Sequence, residues 1–358
     1  MQTLLYQKHI DLNARMVDFA GYQMPIQYSG IVQEHLSVRN SCGIFDVSHM
    51  GEFMVSGENT EAFLNRMTVN DVAILDAGDA QYSAMCYEDG GIVDDIVVYR
   101  YNDWFMMVVN ASNLEKDFMW LNKHKPEDVE LVDVSAETGL IALQGPDSRS
   151  ILQKAVKEDI SDISFYTFIV SKVGSASATI ARTGYTGELG FEIYADNDSI
   201  QHIWDTIMNV GGITPCGLGC RDTLRMEMKF CLYGNDIDET TNTIEAGLGW
   251  ITKTHNKDFI GRDAVISAKE NKTRYLAAFE MVDRAIPRKG YTIFADGKEV
   301  GVVTSGTHSP SLQKGIGLGF VQFGKHKSGM ELEIDIRGKM MKAVIVKPPF
   351  YKNGTVQL

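Results

Sequence analysis

"GGIVDDIVVYR", residues 90–100, sets two adjacent carboxylates inside an apolar run. Gly90 and Gly91 read as a turn, and Ile92, Val93, Ile96, Val97, Val98 and Tyr99 are β-branched or aromatic, so the run predicts a strand. Successive strand side chains point to opposite faces, which sends Asp94 one way and Asp95 the other. If both faces of the sheet are covered, at least one carboxylate is poorly solvated. That costs several kcal/mol, roughly, unless a partner is present. A chain that keeps such a group has a use for it.

Working outward, residues 51–56 (GEFMVS), 80–88 (AQYSAMCYE) and 104–110 (WFMMVVN) also read as strands. Asp89-Gly90-Gly91 joins two of these runs as a hairpin, which makes the region antiparallel. Helical spacing occurs at about 58–68, 113–124, 147–157 and 197–209, the last through Ile200, Ile203, Trp204 and Ile207. Another helix is expected to begin near Arg221, with Leu224, Met228 and Cys231 on one face and Gly234 at its C-terminal end. From about residue 275 the pattern becomes wholly strand-like, with turns at Asp296-Gly297 and Arg337-Gly338. The expectation is an α+β chain: residues 1–275 form the larger unit and residues 276–358 a small all-β barrel or sandwich.

The chain has 358 residues, 44% hydrophobic and 23% charged, as expected for a globular protein with a large core. A net charge of −13 argues against nucleic-acid binding through overall charge. No apolar run approaches the roughly 18 residues of a membrane span, and the first residues lack a signal-peptide apolar block. Five cysteines, an odd number with no CxxC, fit a reducing, cytoplasmic setting. Cys216 and Cys220 lie four apart with no His-rich partner near them and read as small buried residues, so no metal is expected. "GLGCRD", residues 217–222, lacks the third glycine of a dinucleotide fingerprint, and neither a P-loop nor a GxSxG or HExxH motif occurs. His49 is the histidine best placed for a site, although a satisfied core position is its commoner fate.

What remains is a series of glycine-punctuated stretches that mix Asp, Glu, Arg and Tyr, a composition suited to a preformed pocket for a flat polar ligand. In order they are "MVDFAGYQMP", "FDVSHMGE", "GGIVDDIVVY", "VVNASNLEKD", "LQGP", "RTGYTGELGFEI", "GLGCRDTLRMEM", "LYGNDIDE", "DFIGRDA" and "TSGTHSPSL". Taken together they resemble the tetrahydrofolate-dependent aminomethyltransferase (T-protein) family of the glycine cleavage system, over about residues 5–350.

The resemblance implies a cloverleaf of three domains around a central folate channel, the first two interleaved. It implies a reaction in which an aminomethyl group, held on the dihydrolipoyl arm of a lipoylated carrier (H-protein), is passed to tetrahydrofolate. The products would be 5,10-methylenetetrahydrofolate and ammonia. By the same resemblance the catalytic carboxylate falls on Asp95, with Asp94 structural or exposed on the opposite face. Glu192, rather than Glu188, would bind the pterin, because a carboxylate accepts from both the 2-amino group and N3–H. Arg221 matches a folate-binding arginine, and Arg225 reads as structural. Tyr82, Tyr99, Asn110, Tyr185 and Met50 match channel-lining positions. Tyr22, Cys220 and His308 depart from the usual Trp, Ala and aromatic residue. Alternatives are a folate-dependent demethylase of a small amine or sulfonium compound, and a non-enzymatic folate-binding assembly or repair module. A basic patch at Arg284, Arg288 and Lys289, joined by Arg221, Arg225 and Lys229, is the expected landing surface for an acidic carrier.

Overall fold

The computed structural model describes residues 1–357. Its sheets have two, six and five strands, with a closed six-stranded barrel at the C-terminal end. The chain starts the six-stranded sheet with Gly43–Asp46 and then leaves it. It builds the whole five-stranded sheet from residues 51–133 and returns with Thr138–Gln144. Between the strands of the described residues pairing is antiparallel, apart from the short parallel contact of Thr214–Pro215 with Gly43–Asp46; isolated parallel bridges join Gln2 to Gln23 and Tyr233 to Ile237.

The opening stretch forms the strand Ile92–Arg100, paired with Ala80–Cys86 on one side and Trp104–Val109 on the other. Both of its faces are covered. Ile96 and Val98 pack with Phe63, Leu64, Trp120 and Leu121 of the helices Thr60–Met67 and Leu114–His124. Tyr99 packs the other way, with Phe45, Leu140, Ala142 and Tyr194 of the six-stranded sheet. The two carboxylates are thus held between a helical layer and a second sheet. Gly91 is required at the entry to this strand: a Cβ there would lie 2.0 Å from the carbonyl oxygen of Glu239.

Helix Asn197–Val210 shows how local sequence sets an element. Asp196 caps its start by accepting from the Ser199 N–H at 2.7 Å, and Gly211 ends it at φ 81. Ile200, Ile203, Trp204 and Ile207 are all buried against the six-stranded sheet. Each such side chain contributes up to roughly 1.5–3 kcal/mol of burial free energy.

The barrel comprises Arg274–Met281, Thr292–Ala295, Lys298–Ser309, Lys314–Gln322, Glu331–Ile336 and Lys339–Val346. Asp296-Gly297 and Arg337-Gly338 make its tight turns, with positive φ at all four residues. No helix of the described residues is long and apolar enough to cross a membrane.

Two helices differ from the sequence expectation. The one expected over 147–157 spans only Ser148–Leu152, because the chain turns there and bridges Val156 to Val173. The helix around Arg221 spans Leu218–Glu227 and does not reach Gly234. Lys229 takes the left-handed conformation at φ 62, and the Phe230 N–H returns to the Arg225 carbonyl at 3.0 Å, closing the helix with a non-glycine residue.

Candidate functional site

Strand parity puts Asp95, Val97 and Tyr99 on one face and Asp94 on the other. Asp94 is fully buried and is satisfied by amides. Asn110 donates its backbone N–H at 2.9 Å and its Nδ2 at 2.8 Å, and Asn113 donates Nδ2 at 2.6 Å. The structural hydrogen bonding expected of Asp94 is therefore present, and exposure is not. Asp95 is half-buried. Its Oδ2 accepts from the Tyr82 hydroxyl at 2.9 Å and its Oδ1 from Asn110 Nδ2 at 2.9 Å. The pairing Ala84↔Asp95 and Tyr82↔Val97 brings Tyr82 diagonally alongside Asp95. Asn110 lies two residues beyond the Val97↔Val108 pair, opposite Asp95. Burial, then the negative charge of Asp94, pushes the Asp95 carboxyl up to about 7, against the donors Tyr82 and Asn110. This group can gain or lose a proton near neutrality.

The strand Gly190–Asp196 carries Glu192, also half-buried. Thr183 Oγ1 donates to Glu192 Oε2. Behind this contact the Tyr99 hydroxyl meets Thr183 at 3.2 Å and the Tyr194 hydroxyl at 2.9 Å. Tyr99 is completely buried, so the structure makes it a support for the Glu192 region and places it on no surface. Met50 is half-buried and packs on the cluster that contains Tyr99 and Tyr194.

Arg221 is half-buried, with its guanidinium carbon 4.7 Å from the centre of the Tyr185 ring. Tyr185 stacks on Phe230 at 5.6 Å and donates its hydroxyl to the Cys231 carbonyl. Burial lowers the proton affinity of Arg221 while Glu192 and Tyr185 act to raise it, so these groups share one electrostatic neighbourhood. Tyr166 joins it: burial, then the charges of Glu192 and Asp95, holds its phenol well above the ordinary range. Asp95 likewise acts on Tyr185. Asp95, Tyr82, Asn110, Glu192, Tyr185 and Arg221 are thus brought together, with the fully buried Tyr99 behind them and the half-buried Met50 bordering the same cluster.

The rejected alternatives have clear employment elsewhere. Glu188 is buried and pairs with Arg39 at 2.7 Å, while its other oxygen accepts from the Thr355 N–H and hydroxyl. Arg225 is also buried, bonded to Asp236 at 2.7 Å, Asp222 at 2.9 Å and Ser305 of the barrel at 3.0 Å. It therefore cannot add to a surface patch, which corrects that expectation. Lys229 donates to the Ala246 carbonyl at 3.0 Å. Glu227 binds Arg39 and His35, and although burial opposes it, those partners hold its carboxyl at about 2. This network fixes the helix that carries Arg221 against the barrel.

His49 lies in the core, where burial lowers its imidazole to about 4 against the pull of Asp46 and leaves it neutral. Glu34, Cys216 and Cys220 place ligand-type atoms within 4.8 Å of one another. Both Glu34 oxygens already accept backbone N–H groups, from Tyr28, Gly30 and Gly217. They brace the start of Glu34's own helix, Ile31–Asn40, and through Gly217 the start of the helix Leu218–Glu227.

Sequence reasoning missed several residues. Trp250, 65% exposed, lies with its ring 6.2 Å from that of Tyr82 and nearly parallel to it. Thr183, Tyr166 and Phe230 also escaped notice. Asn113 and Asp117 had a usable signal, since they follow Asn110 at helical spacing within "VVNASNLEKD".

Fold and site together define an α+β enzyme of interleaved antiparallel sheets and a terminal barrel, with one near-neutral carboxylate set among aromatic rings. Residues 5–256 match the GCVT N-terminal domain model and residues 274–352 the glycine cleavage T-protein C-terminal barrel domain. An aminomethyltransferase of Bacteroides fragilis is 51% identical over 354 residues, covering 97% of this chain and 98% of its own. One from a Geobacillus species is 47% identical over 360 residues, covering 99% of both. The crystal structure of glycine cleavage system aminomethyltransferase T from Bartonella henselae superposes with a TM-score of 0.93 at 30% identity, over 99% of each chain. The chain belongs to the glycine cleavage T-protein family.

Proposed function

We propose that this chain is the tetrahydrofolate-dependent aminomethyltransferase of glycine cleavage, and that it takes its one-carbon unit from the lipoyl arm of a carrier protein, the H-protein. The observation that carries the reading is Asp95. It is a carboxylate fixed by Tyr82 and Asn110 and poised near neutrality, in the same neighbourhood as Glu192, Arg221 and Tyr185. Glu192 suits the donor edge of a pterin: Thr183 engages Oε2, and Oε1 carries no hydrogen bond among the described residues. Tyr82, Tyr185 and Tyr166 offer flat apolar faces for its rings.

The balance of the reaction explains why a near-neutral carboxylate is useful. The carbon–sulfur and carbon–nitrogen bonds of the aminomethyl group break, and the carbon becomes bonded to two folate nitrogens. Two N–H protons leave the folate; one ends on the released thiol and one on ammonia. Asp95 acts by orienting the folate, offsetting cationic character on the carbon, and accepting or returning a proton. Glu192 and Arg221 orient the substrate. The setting in which this takes place is cytoplasmic.

The test is turnover with aminomethylated carrier and tetrahydrofolate, against carrier-free reactions supplied with small amines or sulfonium compounds. Methylenetetrahydrofolate formed only with the carrier supports the reading. Methyltetrahydrofolate formed from a small donor without the carrier would favour a demethylase instead.

A further inference from the structure

Asp117 is a buried ionisable side chain that the reaction above does not use. It lies on the helix Leu114–His124 and has no exposed surface. Among the described residues, neither of its oxygens receives a hydrogen bond from an amide, hydroxyl or cation. Asn113, one turn before it, donates Nδ2 to Asp94 Oδ1 at 2.6 Å, which sets Asp117 beside the Asp94 carboxyl, the charged group that acts on it most strongly after burial.

Two carboxyls in contact inside a protein do not both ionise, so one proton stays between them. The donors around them decide where. Asp94 accepts three amide hydrogen bonds, two from Asn110 and one from Asn113, all of which favour its carboxylate form. Asp117 accepts none, so Asp117 is the acid and donates to Asp94. The other charged and titratable groups facing the pair are Lys116, Glu239, Tyr87, Tyr233 and Asp95. Lys116 directs its ammonium to the Val93 carbonyl and the Tyr233 hydroxyl, and offsets one negative charge at most. Glu239 and Asp95 oppose a further negative charge, and both tyrosines keep their protons, their phenols being raised first by burial. Burial, then Asp94, correspondingly holds the proton affinity of Asp117 far above the usual carboxylate range.

We propose that Asp117 is a positioning residue for Asp95: as a neutral acid it donates to Asp94 and so fixes the Asn110 amide that bridges the two aspartates. The bridge is explicit, since Asn110 Nδ2 reaches Asp94 Oδ1 at 2.8 Å and Asp95 Oδ1 at 2.9 Å. The same Nδ2 also lies 3.1 Å from the Asp95 carbonyl oxygen, so its two hydrogens are shared among both carboxylates and that carbonyl. The proton on Asp117 also tempers the charge of Asp94, which is the charge that Asp95 faces across the strand. The role at Asp95 rests on the reading of Asp95 as the reacting carboxylate; the shared proton does not.

Infrared difference spectroscopy with isotope-labelled aspartate, together with pH–rate profiles, tests both parts. In the wild type well above pH 7, where Asp95 is ionised, a protonated-carboxyl band is expected that persists in Asp95→Asn and disappears in Asp117→Asn. Asp117→Asn keeps a neutral donor facing Asp94 and should retain most of its kcat. Asp117→Leu removes the donor. Its kcat should fall on the order of tenfold to 100-fold with little change in KM, and its acid limb should move to higher pH. The infrared comparison needs only the wild type and the two Asn variants, so it decides the point even if Asp117→Leu fails to fold. A folded wild type without the band would overturn the shared proton. A folded Asp117→Leu with the wild-type profile would overturn the positioning role. An Asp95→Asn enzyme of near wild-type turnover would overturn the reading of Asp95, with the band still supporting the shared proton.

Discussion

The Tyr82 hydroxyl donates to Asp95 Oδ2 at 2.9 Å, from a ring that lies face to face with Trp250. One strand neighbour thus satisfies an oxygen of the half-buried carboxylate and also presents an aromatic face beside it. The consequence is testable by removing the charge. Asp95→Asn is nearly isosteric and should fold normally, with a rate loss of about 100-fold or more. Steady-state kinetics on a variant with an unchanged melting temperature checks it, and a loss of only a few-fold would contradict the assignment.

Asp94→Asn should behave differently. Its new amide would face the donors of Asn110 and Asn113, leaving buried donors opposed. The expected signature is a lower melting temperature, for a loss on the order of 1–3 kcal/mol, larger than that of Asp95→Asn. Equal stability of the two variants would contradict this account of the pair.

The raised Asp95 carboxyl sets a pH dependence. If its ionised form is the active one, kcat/KM should rise as pH increases through about 7. Tyr82→Phe removes a donor that favours the carboxylate, so its acid limb should move upward in pH. Stability carries the opposite sign. Between the ordinary value of 3.8 and about 7 the folded chain binds the extra proton, so Asp95 makes stability fall as pH rises across that window. Chemical denaturation of wild type and Asp95→Asn across this range should show a shallower slope in the variant, the difference being the share of Asp95 and the remainder that of Asp117.

Glu192→Gln and Glu188→Gln separate binding from structure. The first should weaken tetrahydrofolate binding by about 1–3 kcal/mol, because its new donor faces the pterin's own donors. The second breaks the buried pair with Arg39, and should cost on the order of 3–5 kcal/mol of stability while folate affinity in the folded fraction holds. Calorimetry and thermal melts together decide; the reverse pattern would move the ligand to Glu188.

Much of this was legible because period-two alternation and paired glycine turns survive in the sequence. Residues 92–99 read as a strand, and Asp296-Gly297 and Arg337-Gly338 read as turns, for local reasons that the fold does not override. The end of the Arg221 helix was not legible, because Lys229 takes a left-handed conformation that sequence reading reserves for glycine. The fate of Arg225 was equally hidden. Its helix position resembles that of Arg221, and only tertiary packing against Asp236 and Ser305 turns it inward. The resemblance, more than any spacing rule, singled out Asp95 from Asp94, since adjacency alone says only that they diverge.

The last prediction concerns the proposed carrier, expected to be acidic, which would have to dock on a chain of charge −13. Arg284, Arg288 and Lys289 are all exposed where the chain enters the barrel's second strand. Lys289 already donates to the Gly234 carbonyl, so reversing it would disturb that loop as well as the field. Arg288 has only a 3.2 Å contact with the Gly306 carbonyl. Arg284→Glu with Arg288→Glu is therefore the cleaner probe. It should raise the apparent KM for the carrier, chiefly by slowing association. The effect should shrink with added salt, because screening acts beyond roughly 8–10 Å near physiological ionic strength. Tetrahydrofolate affinity should hold, since neither arginine belongs to the Asp95 neighbourhood. Stopped-flow association at low and high salt is the measurement, and unchanged carrier kinetics at low salt would place the landing surface elsewhere on the molecule.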